Sequence, residues 1–289
     1  MAPIRWCRRL ALSWLELLLI PLGFAVGAYG TLVGAGGGFV LVPALLIIYS
    51  DDSQRELTAI SLAVVLANSA AGSLSFARQR LIDYRTGLTF AAATVPSSFA
   101  GAYFVRFVPR FVFDQVFGVL LISLAFLTIY GALRRTGPVR APLRAGRGIV
   151  VRTMDRGDGV VSRYAYNVWV GIAFSVVIGF ASSLFGVGGG IMQVPVMVAV
   201  LRVPVEFAVA TSQFMLIFMA AAGTTLHVFD GEFARTELTR AALLAAGAVP
   251  GALTGARLGR RLSGNMVARL LALVLVLVGL RLVLTPLFA

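Results

Sequence analysis

Gly34-Ala35-Gly36-Gly37-Gly38-Phe39-Val40-Leu41-Val42-Pro43 closes one long apolar run and opens a short one. The arrangement returns as Gly186-Val187-Gly188-Gly189-Gly190-Ile191-Met192-Gln193-Val194-Pro195. Each glycine costs a helix about 1 kcal/mol relative to alanine, so three in a row predict an interruption. Paired interruptions at corresponding places in two halves point to a transporter whose site is built on broken helices.

The surrounding composition agrees. The chain has 289 residues, 59% hydrophobic and 13% charged, with a mean hydropathy of +0.91. These values place it among polytopic membrane proteins. All 25 basic residues are arginine and the net charge is +13. A nucleic-acid partner is not expected, because the apolar fraction argues for basic loops at a membrane face instead. Cys7 is the single cysteine, so no internal disulfide is available and no thiol or metal chemistry is expected. Arg5, Arg8 and Arg9 precede an apolar stretch from Leu10 to Val33, which is too long for a signal-peptide core. That stretch is read as an uncleaved first transmembrane helix.

Working outward, apolar segments cover Trp14–Val33, Phe39–Tyr49, Leu57–Ala77, Gly87–Val108 and Phe113–Leu133. A second set covers Tyr164–Phe185, Ile191–Leu201, Ala208–Phe229, Leu238–Leu258 and Met266–Phe288. Long members have the ~20 residues that cross a ~30 Å hydrocarbon core. Phe39–Tyr49 and Ile191–Leu201 rise only ~17 Å as helix. Ser61 aligns with Ser212, Gly72 with Gly223, Pro96 with Pro250 and Gly101 with Gly255, as in a duplication. The expected organisation is a first repeat over 1–133 with a short broken helix at 39–49. An Arg-rich cytoplasmic linker over 134–163 follows, and then a second repeat over 164–289 with a short broken helix at 191–201. The expected fold is an all-α polytopic membrane protein of about eight transmembrane helices plus two short re-entrant helices.

Arginine distribution suggests an orientation. If each short segment dips and returns, there are eight crossings. The inside then holds Arg5, Arg8, Arg9, Arg78, Arg80, Arg85, the arginines from Arg134 to Arg163, Arg235 and Arg240. The outside holds Arg55, Arg106, Arg110, Arg202, Arg257, Arg260 and Arg261. Ten crossings, with the termini inside, would put most arginines outside. The count therefore favours eight crossings, repeats of parallel orientation and both termini in the cytoplasm. Arg257, Arg260 and Arg261 fit this arrangement badly.

Both glycine segments resemble the Gly-x-Gly-Gly-Gly-(x)4-Pro signature of the TauE/SafE family of sulfite exporters and toluenesulfonate uptake permeases. The resemblance extends over nearly the whole chain, because the second half repeats the first. It implies an inner-membrane permease of a bacterium carrying sulfite, an organosulfonate, or a related sulfur or carboxylate anion. The Ala210-Thr211-Ser212 stretch resembles one that family members carry after the glycine motif, whereas the first half departs from it with Ile60.

Helix N-termini present free N–H groups and partial positive charge to an anion. Gly36, Gly37 and Gly38, with Gly188, Gly189 and Gly190, are therefore candidate substrate contacts; alternatively they only permit tight turns. Ser61, Asn68, Thr211, Ser212 and Gln213 are further candidates. Their hydroxyls and amides can donate to an oxyanion without a midplane charge; the competing role is gluing helices together. The ladder Gly247, Gly251, Gly255, Gly259 reads as close helix packing. His227, the single histidine, reads as structural rather than as a proton shuttle.

Apart from Glu16, every acidic residue falls in a loop or at a span end. No carboxylate is expected where a proton or sodium relay usually sits. Potential-driven export without a coupling ion is therefore the expected mode. No Ser/His/Asp set, paired catalytic acid or metal-ligand spacing is present, so neither enzyme activity nor a cofactor is expected. The expected partners are a small anion and the lipid bilayer, with a homo-oligomer left open. An anion channel or a carboxylate uptake permease is the nearer alternative; an intramembrane enzyme or a scaffold is the more distant one.

Overall fold

The computed structural model describes residues 14–49, 52–104, 107, 110–133, 148–155, 161–185, 189–229, 235–259, 261–262 and 264–284. The first half contains α1 (Trp14–Leu17), α2 (Leu19–Val33), α3 (Gly38–Ile48), α4 (Gln54–Arg78), α5 (Tyr84–Phe104) and α6 (Arg110–Leu133). Two antiparallel strands follow, β1 (Ile149–Asp155) and β2 (Val161–Asn167). The second half contains α7 (Val168–Leu184), α8 (Gly190–Pro195) prolonged by a π-helical turn (Val196–Val200), α9 (Val205–Phe229), α10 (Arg235–Gly259) and α11 (Gly264–Leu284).

Local chemistry fixes several of these boundaries. Ser53 Oγ accepts from the Glu56 N–H at 3.3 Å and the Glu56 carboxylate accepts from the Ser53 N–H at 3.0 Å, a reciprocal cap that starts α4. Asn167 Oδ1 accepts from the Trp169 N–H and starts α7 where β2 ends. Pro195 has no N–H, and the helix beyond it widens until the Leu201 N–H reaches the Val196 carbonyl.

The halves pack by exchanging partners. Along α2 and α10, Gly247 abuts Ile20, Gly251 abuts Phe24 and Gly255 abuts Ala28, so the two helices run in parallel. A methyl group on Gly247 would lie 1.9 Å from the Ile20 carbonyl oxygen, which is why the ladder must be small. Gly259 is different, with only an ordinary 3.7 Å contact to Leu32. Helices α5 and α7 repeat the arrangement, Gly171 against Phe90, Gly179 against Thr94 and Gly101 against Phe180. By contrast α4 and α9 are antiparallel, Gly72 meeting Gln213 and Gly223 meeting Leu62. So are α6 and α11, where Gln115 donates to the Val283 carbonyl and Gly279 meets Gly118.

These directions correct the expected parallel repeats: the second half is inverted relative to the first. The short helices explain why. Gly37 sits against Val26, and α3 carries Leu41 and Leu45 back to Leu57 and Ile60, near Leu19. Thus α3 returns the chain to the face from which α2 set out, and α8 does the same for α7 from the opposite face. The starts of α2, α4 and α10 and the end of α11 share one face, called here the terminal face. The β-hairpin lies at the other, the hairpin face. The hairpin and the outermost described helical residues, Trp14 and Leu284, are therefore at opposite ends of the bundle, whereas the sequence suggested one side for linker and termini. Residues Tyr164–Asn167 belong to a strand rather than to the start of a span, so the hairpin runs from within the Arg-rich linker into the expected span.

Among the described residues, three helices are long and apolar enough to cross a membrane, Arg55–Arg78, Val205–Phe229 and Thr236–Gly259. The outer helices add an apolar belt, with Phe126 exposed to 73%, Val177 to 64% and Leu273 to 57%. An aqueous protein would not leave such a belt uncovered.

Candidate functional site

The two glycine breaks meet inside the bundle. At the first, Gly34, Gly36 and Gly37 take φ values of +76°, +72° and +86°, a left-handed region open to glycine at little cost. The Ala35 and Gly36 N–H groups fold back to the Gly30 carbonyl at 2.8 and 3.1 Å. A methyl group on Gly30 would lie 2.2 Å from the Gly37 nitrogen, so this turn closes only around a glycine. Gly38 then opens α3, whose first N–H groups have no intrahelical acceptor. At the second break Gly189 has φ +63° and Gly190 opens α8. Gly190 lies against the Gly34 carbonyl and Ala35, and one Leu216 methyl packs near both Gly36 and Gly190.

Polar side chains surround the first break. Asn68 Nδ2 donates to the Gly36 carbonyl at 3.1 Å and to Thr31 Oγ1 at 3.1 Å. Gln213 Nε2 donates to the same Thr31 oxygen at 3.1 Å. Ser212 Oγ donates to the Gly34 carbonyl at 2.9 Å. All four side chains are fully buried. On the residue after Asn68, the Ser69 hydroxyl faces the Gly36 position with no hydrogen-bond partner among the described residues. At the second break the Ser182 hydroxyl sits beside Gly189, likewise buried without such a partner. Gln193 Oε1, in the first turn of α8, shares that condition. A buried unpartnered hydroxyl is uncommon enough to require a reason.

Of the residues expected from sequence, Gly36, Gly37, Gly38, Gly189, Gly190, Asn68, Ser212 and Gln213 are brought together. Gly188 lies outside the described residues. Ser61 is buried on α4 without a hydrogen-bond partner among the described residues, roughly 10 Å along the helix from Asn68. The inverted repeat aligns Ser61 with Ser212, and the carbonyl corresponding to Gly34 belongs to Gly186, outside the described residues. Thr211 turns away from the break and accepts from the Asp83 N–H at 3.1 Å. His227 is buried in the last turn of α9, roughly 20 Å along the helix from Gln213.

Thr31, Ser69, Ser182 and Gln193 had no place among the sequence candidates. Thr31 and Ser182 both lie on the helix before a break, Thr31 three residues and Ser182 four residues ahead of its first glycine. A hydroxyl within one turn upstream of each glycine cluster was the available signal.

A second polar cluster lies toward the hairpin face. Asp83, a loop residue by sequence, is buried at the head of α5. Its Oδ1 accepts from the Thr86 N–H at 3.1 Å, and its Oδ2 accepts from the Tyr164 hydroxyl at 2.8 Å. Arg152 Nε lies 3.4 Å from the same oxygen, and the Tyr166 hydroxyl is 2.6 Å from Thr86 Oγ1. Burial, reinforced by the Asp83 charge and hydrogen bond, pushes the Tyr164 phenol well above its ordinary value. Burial also raises Tyr166.

Comparison with known proteins identifies the family. The family described as sulfite exporter TauE/SafE matches residues 19–282. A Bacillus subtilis protein named "Probable membrane transporter protein YunE" is 30% identical over 221 residues, covering 74% of this chain and 79% of that protein. A Methanocaldococcus jannaschii protein, also named a probable membrane transporter, is 32% identical over 205 residues, covering 68% of this chain and 67% of that one. No solved structure gives a significant match. The chain is a multi-pass helical membrane protein and belongs to the TauE/SafE sulfite exporter family.

Proposed function

We propose that this protein is a permease that carries a small oxyanion, sulfite or an organosulfonate, through a site formed where the two glycine breaks meet. Family membership and the names of the relatives support a membrane transporter of the TauE/SafE type. The observation that carries the site is the pair of buried hydroxyls, Ser69 and Ser182, which lie beside Gly36 and Gly189 without a hydrogen-bond partner among the described residues. Each can donate to an oxyanion that also meets the N–H groups opening α3 and α8. Such a site uses dipoles and hydroxyls in place of a cation at mid-depth.

The helix directions also support an arrangement of the chain in the membrane. The α2–α3 and α7–α8 pairs are re-entrant, and α4, α5, α6, α9, α10 and α11 are the full crossings. Among the described residues, Arg78, Arg80, Arg85, Arg152, Arg163, Arg202, Arg257 and Arg261 then fall on the hairpin face. The positive-inside rule makes that face cytoplasmic and the termini external. The arginines after α10 thereby join the majority. Inverted repeats around a central site suit alternating access.

Export follows from charge. An anion leaving a negative interior gains about 2.3 kcal/mol per charge per 100 mV. Asp83 is buried, but Arg152 and Tyr164 already engage it, so it is not read as a coupling site. The test is efflux from proteoliposomes loaded in turn with sulfite, methanesulfonate or acetate under an imposed potential. Potential-sensitive sulfite or sulfonate flux supports the reading. Flux of acetate alone overturns the substrate class.

A further inference from the structure

We propose that the β1–β2 hairpin is a gate that closes the substrate path on its own face, and that Asp83 latches it. This rests on the transporter reading above, but not on which anion is carried.

The hairpin straps one repeat to the other. The Tyr166 ring meets Phe90 of α5 edge-on, with centroids 5.8 Å apart, while the Tyr164 ring lies over Phe207 of α9 at 6.1 Å. Both tyrosines are buried although they sit on the strand just outside the helices. Their hydroxyls, with Arg152 from the opposite strand, converge on Asp83 and Thr86 at the head of α5. Relative movement of the repeats at this face must break those contacts or carry the hairpin along.

The latch is also close to the first break. The Asp83 N–H donates to Thr211 Oγ1, and the next residue, Ser212, holds the Gly34 carbonyl. One helical residue therefore separates the closure from the site.

Inversion of the repeats makes the opposite end informative. The register that aligns Pro96 with Pro250 aligns Asp83 with Glu237 and Thr86 with Arg240. At the terminal face Arg240 pairs with Asp52 and lies 3.8 Å over the Tyr49 ring. That closure uses Tyr49 and Asp52 between α3 and α4, with no strand among the described residues. Two unlike closures sit at equivalent ends, so each face can be released separately, as alternating access requires.

Asp83 is a positioning residue here, and its test must report on one face alone. In a Cys7→Ser background, Ser212→Cys is labelled with a membrane-impermeant maleimide in vesicles of each orientation. Val161→Cys, on the exposed end of β2, marks the hairpin face. Tyr164→Phe keeps the buried ring and loses only the hydroxyl, so it remains informative if Asp83→Asn misfolds. With either change, labelling of Cys at 212 from the hairpin face is expected to rise about tenfold. Labelling from the terminal face stays the same. No rise, an equal rise from both faces, or a rise from the terminal face overturns the gate. No substrate enters this measurement, so a wrong anion assignment leaves its outcome intact.

Discussion

Ser212 of α9 donates to the carbonyl of Gly34 at 2.9 Å, across 178 residues of sequence and between the two repeats. A carbonyl freed by a glycine break must find a donor in an environment without water. Ser212→Ala removes that donor. We expect a loss of about 1–3 kcal/mol, the cost of an orphaned buried acceptor, seen as a lower thermal midpoint in detergent. Ser212→Thr should restore most of it.

Asn68 joins Gly36 and Thr31, and Gln213 joins the same Thr31. Asn68→Asp keeps the shape but adds negative charge at the site proposed for an anion. Sulfite efflux should fall by at least about tenfold, because a like charge in low dielectric opposes binding by more than ~1.4 kcal/mol. Equal efflux at equal protein would remove Asn68 from the path.

Gly251 packs on Phe24 away from the breaks, and a methyl group there would sit 2.3 Å from the Phe24 carbonyl oxygen. Gly251→Val should destabilise by about 1–3 kcal/mol through overpacking. Efflux per folded molecule should be unchanged, which separates the small-residue ladder from the site.

The Tyr164 phenol is raised above its ordinary value of 10.0, first by burial. A raised native value means that the unfolded chain loses its proton first as pH rises, so stability falls above that value and not below it. Hairpin labelling and thermal midpoint should be flat from pH 6 to 9 as far as Tyr164 governs them, and the latch should loosen only above about pH 10. Tyr164→Phe removes that alkaline loss.

Some of this was legible in the sequence and some was not. The breaks could be read because glycine acts locally: Gly36 and Gly37 need positive φ whatever surrounds them. The duplication and the Gly247–Gly255 ladder could be read for a similar reason, since spacing alone sets which residues share a helix face. Relative direction could not be read, because a helix and its inverted copy carry the same pattern. It depends on whether α3 crosses, dips or returns, and Gly30 against Gly37 decides that only in three dimensions. The hairpin was hidden because Tyr164 and Tyr166 adjoin the apolar run of α7 and mimic its beginning. Asp83 looked like a loop acid because its partners Arg152 and Tyr164 lie about 70–80 residues away. Among the hydroxyls, Ser212 was identifiable from its repeat position, whereas Thr31 and Ser182 precede the motif.

The central claim is that an anion passes the glycine breaks and is held there by hydroxyls that have no hydrogen-bond partner among the described residues. Ser69→Ala and Ser182→Ala test it most directly, because removing an unpartnered buried hydroxyl should leave stability unchanged or raised. The measurement is sulfite efflux from proteoliposomes under an imposed potential, with the thermal midpoint of each variant taken alongside. The account expects at least a tenfold fall in efflux for the double variant, about 1.4 kcal/mol, at an undiminished midpoint. Wild-type efflux in a folded double variant would contradict it.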